Sequence, residues 1–296
     1  MSSMRFMITE AQRLAEQNLK TLSENDYPGR GIVLGRFDQD HWGGLYWIMG
    51  RSPNSRNRCL RYEDEILRTE PADPTLVEDP SLIFYNAIKR WDKTLVASNG
   101  SLTDVIVESL KKGKNLAEGM ESQYHEPDEP NFTPRISGVL DFRKASPQIW
   151  LSSLRKSQII KSESDHAIYH YRQFAKGLGV GLTTYLHNGS PHPTYDRPPM
   201  ILPFFGNLKE IYLKKGSGDN FQITFAKEGR FKLVGKNQFL ELNFGETISV
   251  INNKITNFKF KKTDFNLSNF DDNLTTYKKT QEVATRDLIK CCLLYT

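Results

Sequence analysis

The apolar residues of this chain occur in short runs separated by turn residues, and this pattern constrains the fold more than any other feature. Runs such as Ile32–Leu34, Thr94–Ser98 and Ile149–Leu154 lie between Gly, Pro, Asn or polar residues, which is typical of β-strands. From Ile211 to Phe260 apolar and polar residues alternate between Gly or Asn turns, which predicts an antiparallel meander. We therefore expect a fold built on antiparallel sheets.

Three segments carry helical signals. Apolar residues recur at helical spacing in 8–22, the stretch Thr103–Lys111 places its apolar residues on one face, and a further helix is predicted near 165–177. The Gly43-Gly44 pair predicts the turn of a hairpin between the first two strands. Helices among antiparallel strands indicate the α+β class.

Composition excludes several classes of protein. The chain has 296 residues and many aromatic side chains, and no apolar run approaches the roughly 18 residues of a membrane-spanning helix. Three cysteines, two of them adjacent, build no disulfide framework, so the cytoplasm is the expected compartment. The net charge of +5 lies entirely in residues 206–296, without the dense basic face of a nucleic-acid-binding protein. Neither nucleic acid nor membrane is expected as a partner.

A loop rich in arginine, Gly50–Arg58, follows the predicted strand Leu45–Met49. Arginine guanidinium groups bind phosphate or carboxylate bidentately, so Arg51, Arg56 and Arg58 are candidate anion ligands. The alternative is a solvated basic loop.

A polar turn, Ser98–Asp104, runs from a buried strand into a predicted helix. Backbone N–H groups at such a helix start can meet an anion. The alternative is that Ser101 and Asp104 only cap the helix.

An acidic loop lies at 124–135 and contains Glu126, Asp128 and Glu129. Carboxylates this close repel one another, so partial burial would raise the pKa of one and suit it to general base catalysis. The alternative is an acidic surface loop.

A further strand, Gly181–Leu186, ends in Thr183, Thr184 and Tyr185, which either face a ligand or pack internally.

The chain lacks the Walker, dinucleotide-binding, nucleophile-elbow and zinc-protease motifs, and its histidines lack metal-ligand spacing. No metal site is therefore expected.

Six segments, in this order along the chain, resemble the archaeal-type inosine monophosphate (IMP) cyclohydrolase family and its bacterial relatives. They are Tyr27-Pro-Gly-Arg-Gly-Ile-Val-Leu-Gly35, Tyr46-Trp-Ile-Met-Gly-Arg-Ser-Pro-Asn-Ser-Arg-Asn-Arg58, Phe84-Tyr-Asn-Ala87, Ser98-Asn-Gly-Ser-Leu-Thr-Asp104, Asn131-Phe-Thr-Pro-Arg-Ile136 and Thr183-Thr-Tyr185.

The resemblance implies a four-layer αββα sandwich of two antiparallel sheets, similar to the N-terminal-nucleophile hydrolases, with a β-rich C-terminal extension. It implies closure of 5-formamidoimidazole-4-carboxamide ribonucleotide to IMP with loss of water, at the end of purine synthesis. The implied partner is this small purine ribonucleotide, and no cofactor is implied. A non-catalytic or divergent nucleotide-binding regulator on the same fold is the alternative function.

The resemblance also implies site residues. Arg56 and Tyr85 resemble the pair that polarises the formyl group, and Glu126 resembles the acid–base carboxylate, with Asp128 and Glu129 as alternatives. The implied substrate-binding residues are Arg30, Arg51, Asn54, Arg58, Ser98, Asn99, Asn131, Arg135 and Tyr185.

We expect four regions along the chain: an N-terminal helical extension (1–26), the cyclohydrolase-like domain (27–205), a β-meander (206–262) and a poorly ordered tail (263–296). The meander either completes the domain or is appended to it, and its apolar positions either extend one sheet of the sandwich or form a subunit contact in a homo-oligomer.

Overall fold

The computed structural model describes residues 2–37, 41–77, 84–204, 207–217, 220–234, 237–252 and 254–266. These residues form two compact units, which comprise residues 2–204 and 207–266. Within them, no helix combines the length and the apolar character needed to cross a membrane.

The first unit contains the described helices and most of the strands. The helices are α1 (Ser2–Ser23), α2 (Pro53–Arg56), α3 (Leu102–Lys111) and α4 (Leu116–Met120), with a 3₁₀ turn at Pro74–Leu76. The strands are β1 (Gly31–Arg36), β2 (Trp42–Trp47), β3 (Cys59–Glu63), β4 (Ile66–Glu70), β5 (Tyr85–Trp91), β6 (Thr94–Ser98), β7 (Arg135–Asp141), β8 (Gln148–Lys156), β9 (Ser164–Tyr171), β10 (Leu178–Thr183) and β11 (Met200–Pro203).

The strands of this unit form two sheets. The first has four strands in the order β11-β10-β1-β2, and the second has seven in the order β3 to β9. Neighbouring strands in both are antiparallel. The predicted α+β class with antiparallel sheets is therefore confirmed.

Alternation along β1 distributes its side chains between two apolar clusters. Ile32 and Leu34 pack with Ile88, Ile136 and other residues of the seven-stranded sheet, so this cluster lies between the sheets. Val33 points to the opposite face, because successive strand residues alternate sides.

Helices cover the outer faces of both sheets. Leu19 and Leu22, at the end of α1, pack with Val33 and Trp47 on the four-stranded sheet. On the seven-stranded sheet, Ile106 of α3 packs with residues of α4, β6 and β7. Removing each such side chain from water contributes about 1.5–3 kcal/mol.

The helix predicted near 165–177 is wrong, because β9 occupies Ser164–Tyr171. Tyr169 and Tyr171 pair with Leu151 and Ile149 of β8 and pack against the cluster between the sheets. Their spacing of two residues is the period of a strand, and the pairing with β8 decides the structure of this segment.

The turn predicted at Gly43-Gly44 is also wrong, since both glycines lie inside β2, opposite Gly35 and Leu34 of β1. A Cβ on Gly44 would lie 2.9 Å from Leu34 Cδ2 and 3.2 Å from Leu95 Cδ2. Glycine here allows close packing rather than a turn.

The second unit is one four-stranded sheet of β12 (Asn207–Ser217), β13 (Asn220–Val234), β14 (Asn237–Ile251) and β15 (Lys254–Asn266). Each strand is antiparallel to the next, so the sheet is a meander. β15 runs past the expected boundary at Lys262, and Phe265 packs with Leu240 and Leu242. Residues 267–296 lie outside the described residues, and the division into four regions stays a prediction.

Candidate active site

Loops at one end of the two sheets carry most of the predicted site residues. Arg30 immediately precedes β1, Tyr85 begins β5, Arg135 begins β7, and Tyr185 follows the end of β10. Glu126 lies in the long loop before β7. In an antiparallel sheet the start of one strand lies beside the end of the next. Residues that are distant in sequence therefore meet at the same end of the sheets.

The turn before β1 aims Arg30 inward. Gly29 has a φ of +73°, a conformation that favours glycine, and a Cβ there would collide with Thr184 Oγ1 and the ring of Tyr185. The backbone N–H of Arg30 donates to Thr184 Oγ1 at 3.1 Å. The turn formed by the Pro-Gly-Arg sequence therefore positions the guanidinium group of Arg30.

Arg30 and Glu126 form a buried ion pair. Arg30 Nη1 lies 3.5 Å from Glu126 Oε2, and the two side chains are only 13% and 7% exposed. Burial raises the pKa of Glu126, and the guanidinium of Arg30 opposes that rise. Burial disfavours the charge on Arg30, but Glu126 raises the pKa of Arg30 above its ordinary value. A carboxyl group in this environment can both take and return a proton.

Two phenols lie beside this pair. The hydroxyl groups of Tyr46 and Tyr85 are 2.8 Å apart and buried. Burial, and then the neighbouring Tyr85, raise the pKa of Tyr46 well above its ordinary value, so Tyr46 remains a neutral donor. Both phenols, after Glu126, contribute to the raised pKa of Arg30.

Two more arginines surround Glu126. Burial, followed by repulsion from Arg30, lowers the pKa of Arg58, while Arg135 acts electrostatically on Glu126 together with Arg30 and Arg58. Among the described residues, the buried Nε atoms of Arg30, Arg58 and Arg135 have no hydrogen-bond partner. Buried donors of this kind normally have partners, so the cluster is suited to an electron-rich ligand.

A polar cavity of about 400 Å³ opens beside Arg30. Thr133 and Tyr185 line it and are fixed by a hydrogen-bonded chain: the Tyr185 hydroxyl lies 2.6 Å from Thr133 Oγ1, which in turn donates to Asp128. Burial raises the pKa of Tyr185 to about 12, so its hydroxyl remains a donor at neutral pH. Thr133 also donates its backbone N–H to Asp128 at 2.6 Å.

A larger cavity, of about 620 Å³, lies beside β3, β4 and β5. Of its charged lining groups, Arg61 and Glu70 form an ion pair with each other at 2.8 Å, and Asp104 forms one with Lys89 at 2.7 Å. We regard the smaller cavity as the candidate active site because it alone of the two is lined by Arg30, through which it adjoins Glu126.

The predicted binding residues are distributed unevenly. Arg51, Asn131 and Tyr185 line the smaller cavity. Arg56, at the end of α2, is exposed, whereas Arg58 is partly buried and acts electrostatically on Glu126. The side chain of Asn54 lies outside the described residues. The catalytic role of Arg56 stays a prediction. The geometry favours a catalytic role for Arg30 over one for Arg56.

Ser98 and Asn99 are wholly buried and hold the turn together. Ser98 Oγ lies 2.7 Å from Thr103 Oγ1. Asn99 donates to the Pro134 carbonyl oxygen at 2.9 Å and accepts from the Ile136 N–H at 2.6 Å. Asn99 thereby fixes the end of the loop that carries Glu126.

Replacing Asn99 by Ala should therefore destabilise the fold rather than only weaken ligand binding. Loss of the amide leaves two buried backbone groups unpaired, which costs about 1–3 kcal/mol for each unsatisfied group. Urea unfolding measures this change. The matched control is Ser101→Ala in the same turn, because Ser101 is exposed and makes no side-chain capping bond. Equal stability of the Asn99 variant and the wild-type chain would contradict the structural role.

Sequence reasoning assigned no role to three residues of the site: Tyr27, Tyr46 and His192. Tyr27 and Tyr46 were within recognised segments, but only the folded chain brings Tyr46 to Tyr85. His192 lies between two prolines, which is a turn signal without chemical meaning by itself. Within the described part of the chain, no group of three His, Cys, Asp or Glu side chains is arranged to hold a metal ion.

The part of the chain that is similar to known proteins includes the residues of this site. A family model described as "IMP cyclohydrolase-like protein" matches residues 27–201. The IMP cyclohydrolase of Methanocaldococcus jannaschii is 36% identical over 117 residues, covering 39% of this chain and 57% of that protein. That of Methanococcus maripaludis is 32% identical over 38% of this chain and 58% of its own length. That of Methanopyrus kandleri is 26% identical over 45% and 66%, respectively. The chain thus spans less than two thirds of the length of these relatives.

Proposed function

The chain belongs to the IMP cyclohydrolase-like family, and on that premise we propose that it closes 5-formamidoimidazole-4-carboxamide ribonucleotide to IMP with loss of water. The observation that carries the proposal is the buried Arg30–Glu126 pair, which adjoins the Tyr46–Tyr85 hydroxyl pair and the polar cavity. The curated relatives are named IMP cyclohydrolases.

The reaction is an intramolecular condensation. The carboxamide nitrogen attacks the formyl carbon and loses one proton, while the formyl oxygen takes up a proton. The resulting hydroxyl leaves as water with a second proton, and the formamide nitrogen loses its proton as it forms the C=N bond of IMP. No electron is gained or lost, so the balance requires no redox cofactor. Holding the two groups in contact supplies part of the rate, because an oriented intramolecular reaction avoids the entropy cost of encounter.

Glu126 is the acid–base group in this proposal. Its carboxylate takes the proton from the attacking nitrogen, and the resulting carboxylic acid returns a proton to the leaving hydroxyl. The raised pKa of Glu126, which burial causes, suits both roles. Of the two alternatives, Asp128 is held by two hydrogen bonds from Thr133, and Glu129 is exposed.

Arg30 and Tyr85 stabilise the formyl oxygen as it becomes negative. A guanidinium and a phenol that are already fixed in a buried site cost no reorganisation when the charge develops. This proposal gives to Arg30 the role that the sequence suggested for Arg56, because Arg30 contacts Glu126. Arg58 and Arg135, with their unpartnered nitrogens, hold polar groups of the substrate.

The proposal extends to the fold and the cellular context. The three apolar clusters support a four-layer αββα sandwich of the N-terminal-nucleophile-hydrolase type. The reaction needs a small purine ribonucleotide and neither nucleic acid nor membrane, which is consistent with a cytoplasmic enzyme. A homo-oligomer stays a prediction.

The two arginines of the α2 loop should differ in their effects. Arg58→Ala is expected to raise KM for the substrate and to weaken IMP binding by about tenfold or more, because Arg58 is partly buried among the site residues. Arg56→Ala should change both quantities less, because its side chain is exposed. Steady-state kinetics and IMP calorimetry on both variants measure this. A larger loss of kcat in Arg56→Ala would restore Arg56 as the formyl-polarising group.

The experiment that tests the function is incubation of the full chain with the formamido ribonucleotide, followed by separation and identification of the product. IMP is the expected product. A folded chain that binds purine nucleotides in calorimetry, but yields no IMP above the spontaneous rate, would favour the regulatory alternative.

A further inference from the structure

His192 is a buried histidine at the wall of the candidate active site that the ring-closure chemistry does not use. It is 8% exposed and lines the same cavity as Arg30 and Arg51. Its ring packs against two tyrosines that are stacked on each other, with centroids 4.6 Å from Tyr27 and 4.6 Å from Tyr185. Its backbone N–H donates to Asn131 Oδ1 at 3.3 Å. The two tyrosine rings and this backbone hydrogen bond thus fix the position of His192.

The tautomer of His192 follows from its partner. Arg51 Nη1 lies 3.2 Å from His192 Nε2, and a guanidinium can only donate. The same Nη1 donates to Asn188 Oδ1 and to the Gly189 carbonyl oxygen at 2.9 Å each, so its contact with Nε2 is the longest of the three. A proton on Nε2 would point at this cationic group, so the neutral ring carries its proton on Nδ1. Burial lowers the pKa of His192, and Arg51 lowers it further, in agreement with a neutral ring.

The Nδ1–H group is then a buried hydrogen-bond donor that lacks an acceptor in the described part of the protein. Among the described residues it has no hydrogen-bond partner. Leaving such a group unsatisfied is costly, so its presence in a cavity wall indicates a ligand acceptor.

The position of His192 in the cavity identifies which part of the ligand that acceptor is. The reacting end of the substrate belongs at the buried Arg30–Glu126 pair, so the opposite end points to the side where Arg51 is exposed. Ser52, Ser55 and Arg51 line this side together with His192, and Asp128, the carboxylate that also lines the cavity, is bound to Thr133. In the proposed substrate, the phosphate lies opposite the formamide.

Resting on the proposed function, we propose that His192 is a specificity-determining residue whose Nδ1–H donates to the phosphate of the bound ribonucleotide. Arg51 fixes its tautomer, and the two tyrosine rings fix its plane. His192 thereby distinguishes a nucleotide from the corresponding nucleoside.

The test compares IMP with inosine, which differ only in the phosphate. His192→Phe keeps an aromatic ring against the two tyrosines and removes both nitrogens, whereas His192→Asn retains an amide N–H near the position of Nδ1. Calorimetry on the wild-type chain and both variants gives the two dissociation constants. His166→Gln is the matched control, because His166 is an exposed histidine on β9.

We expect His192→Phe to weaken IMP binding by about 10- to 100-fold, the range of a hydrogen bond to a charged group, and to leave inosine binding nearly unchanged. His192→Asn should recover part of the loss. In the wild-type chain, IMP but not inosine should raise the pKa of His192 in an NMR titration, a result independent of the variants' folding.

Equal losses for IMP and inosine, or an NMR pKa that the phosphate does not affect, would overturn the inference. A wild-type chain that binds no IMP would overturn it as well. A wild-type chain that discriminates IMP from inosine through His192 but does not close the ring would contradict only the proposed function.

Discussion

Replacing Glu126 by Gln is expected to lower kcat for ring closure by about 100- to 10,000-fold, the usual contribution of a positioned acid–base group. Gln has the shape of Glu and can still accept a hydrogen bond from Arg30, which lies 3.5 Å away, but it cannot exchange a proton. IMP affinity should therefore change much less than kcat. Steady-state kinetics and IMP calorimetry measure the two quantities separately.

The matched control for this variant is Glu129→Gln. Glu129 is exposed and lies three residues further along the same loop, so its replacement removes the same charge without touching the buried pair. Thermal unfolding of both variants shows whether either has lost structure, since Glu126→Gln leaves Arg30 without its counterion. Wild-type kcat in Glu126→Gln, or an equal loss in Glu129→Gln, would contradict the assignment of the acid–base group.

Replacing Tyr85 by Phe is expected to lower kcat by about 100- to 1,000-fold, the effect of removing one donor from an oxyanion site. The phenyl ring still packs in the core between the sheets, so the change is confined to the hydroxyl group. IMP has lost the formyl oxygen as water and makes no use of this donor, and its affinity should change little. The ratio of the change in kcat to the change in IMP affinity is the informative quantity.

Tyr124→Phe provides the control for this substitution, because Tyr124 is 50% exposed and lies outside both cavities. A Tyr85 variant that loses IMP affinity as strongly as kcat would indicate that the phenol binds the base or ribose. A Tyr85 variant with unchanged kcat would remove Tyr85 from the chemistry altogether.

Local sequence patterns predicted those strands and helices whose formation depends mainly on residues close together in the chain. The strand Thr94–Ser98 and the helix Leu102–Lys111 follow from short apolar runs, turn residues and helical periodicity. The edge strand β9 was mistaken for a helix, because its alternation is weak and its pairing with β8 supplies the stability. The glycines of β2 were mistaken for a turn, because their function is to admit side chains from other strands.

The candidate site was predictable in its residue types and not in its pairings. The acidic loop indicated Glu126, Asp128 and Glu129 together, and only the family resemblance singled out Glu126, whose burial depends on packing. Arg30 and Glu126 are 96 residues apart in the chain, and no local spacing relates them. The arginine-rich loop drew attention to Arg56, whereas the guanidinium at Glu126 comes from a Pro-Gly-Arg turn. Ser98 and Asn99 have hydroxyl and amide groups suited to a ligand, yet Ser98 is hydrogen-bonded to the Thr103 hydroxyl and Asn99 donates to the Pro134 carbonyl oxygen.

The most direct test of this account is the rate of IMP formation from the formamido ribonucleotide in a single turnover, with the enzyme in excess over substrate. This measurement isolates ring closure from substrate binding and product release. The account predicts rapid IMP formation by the wild-type chain and a rate for Glu126→Gln that is slower by about 100-fold or more. A folded wild-type chain that binds the substrate and forms IMP no faster than buffer does would contradict it.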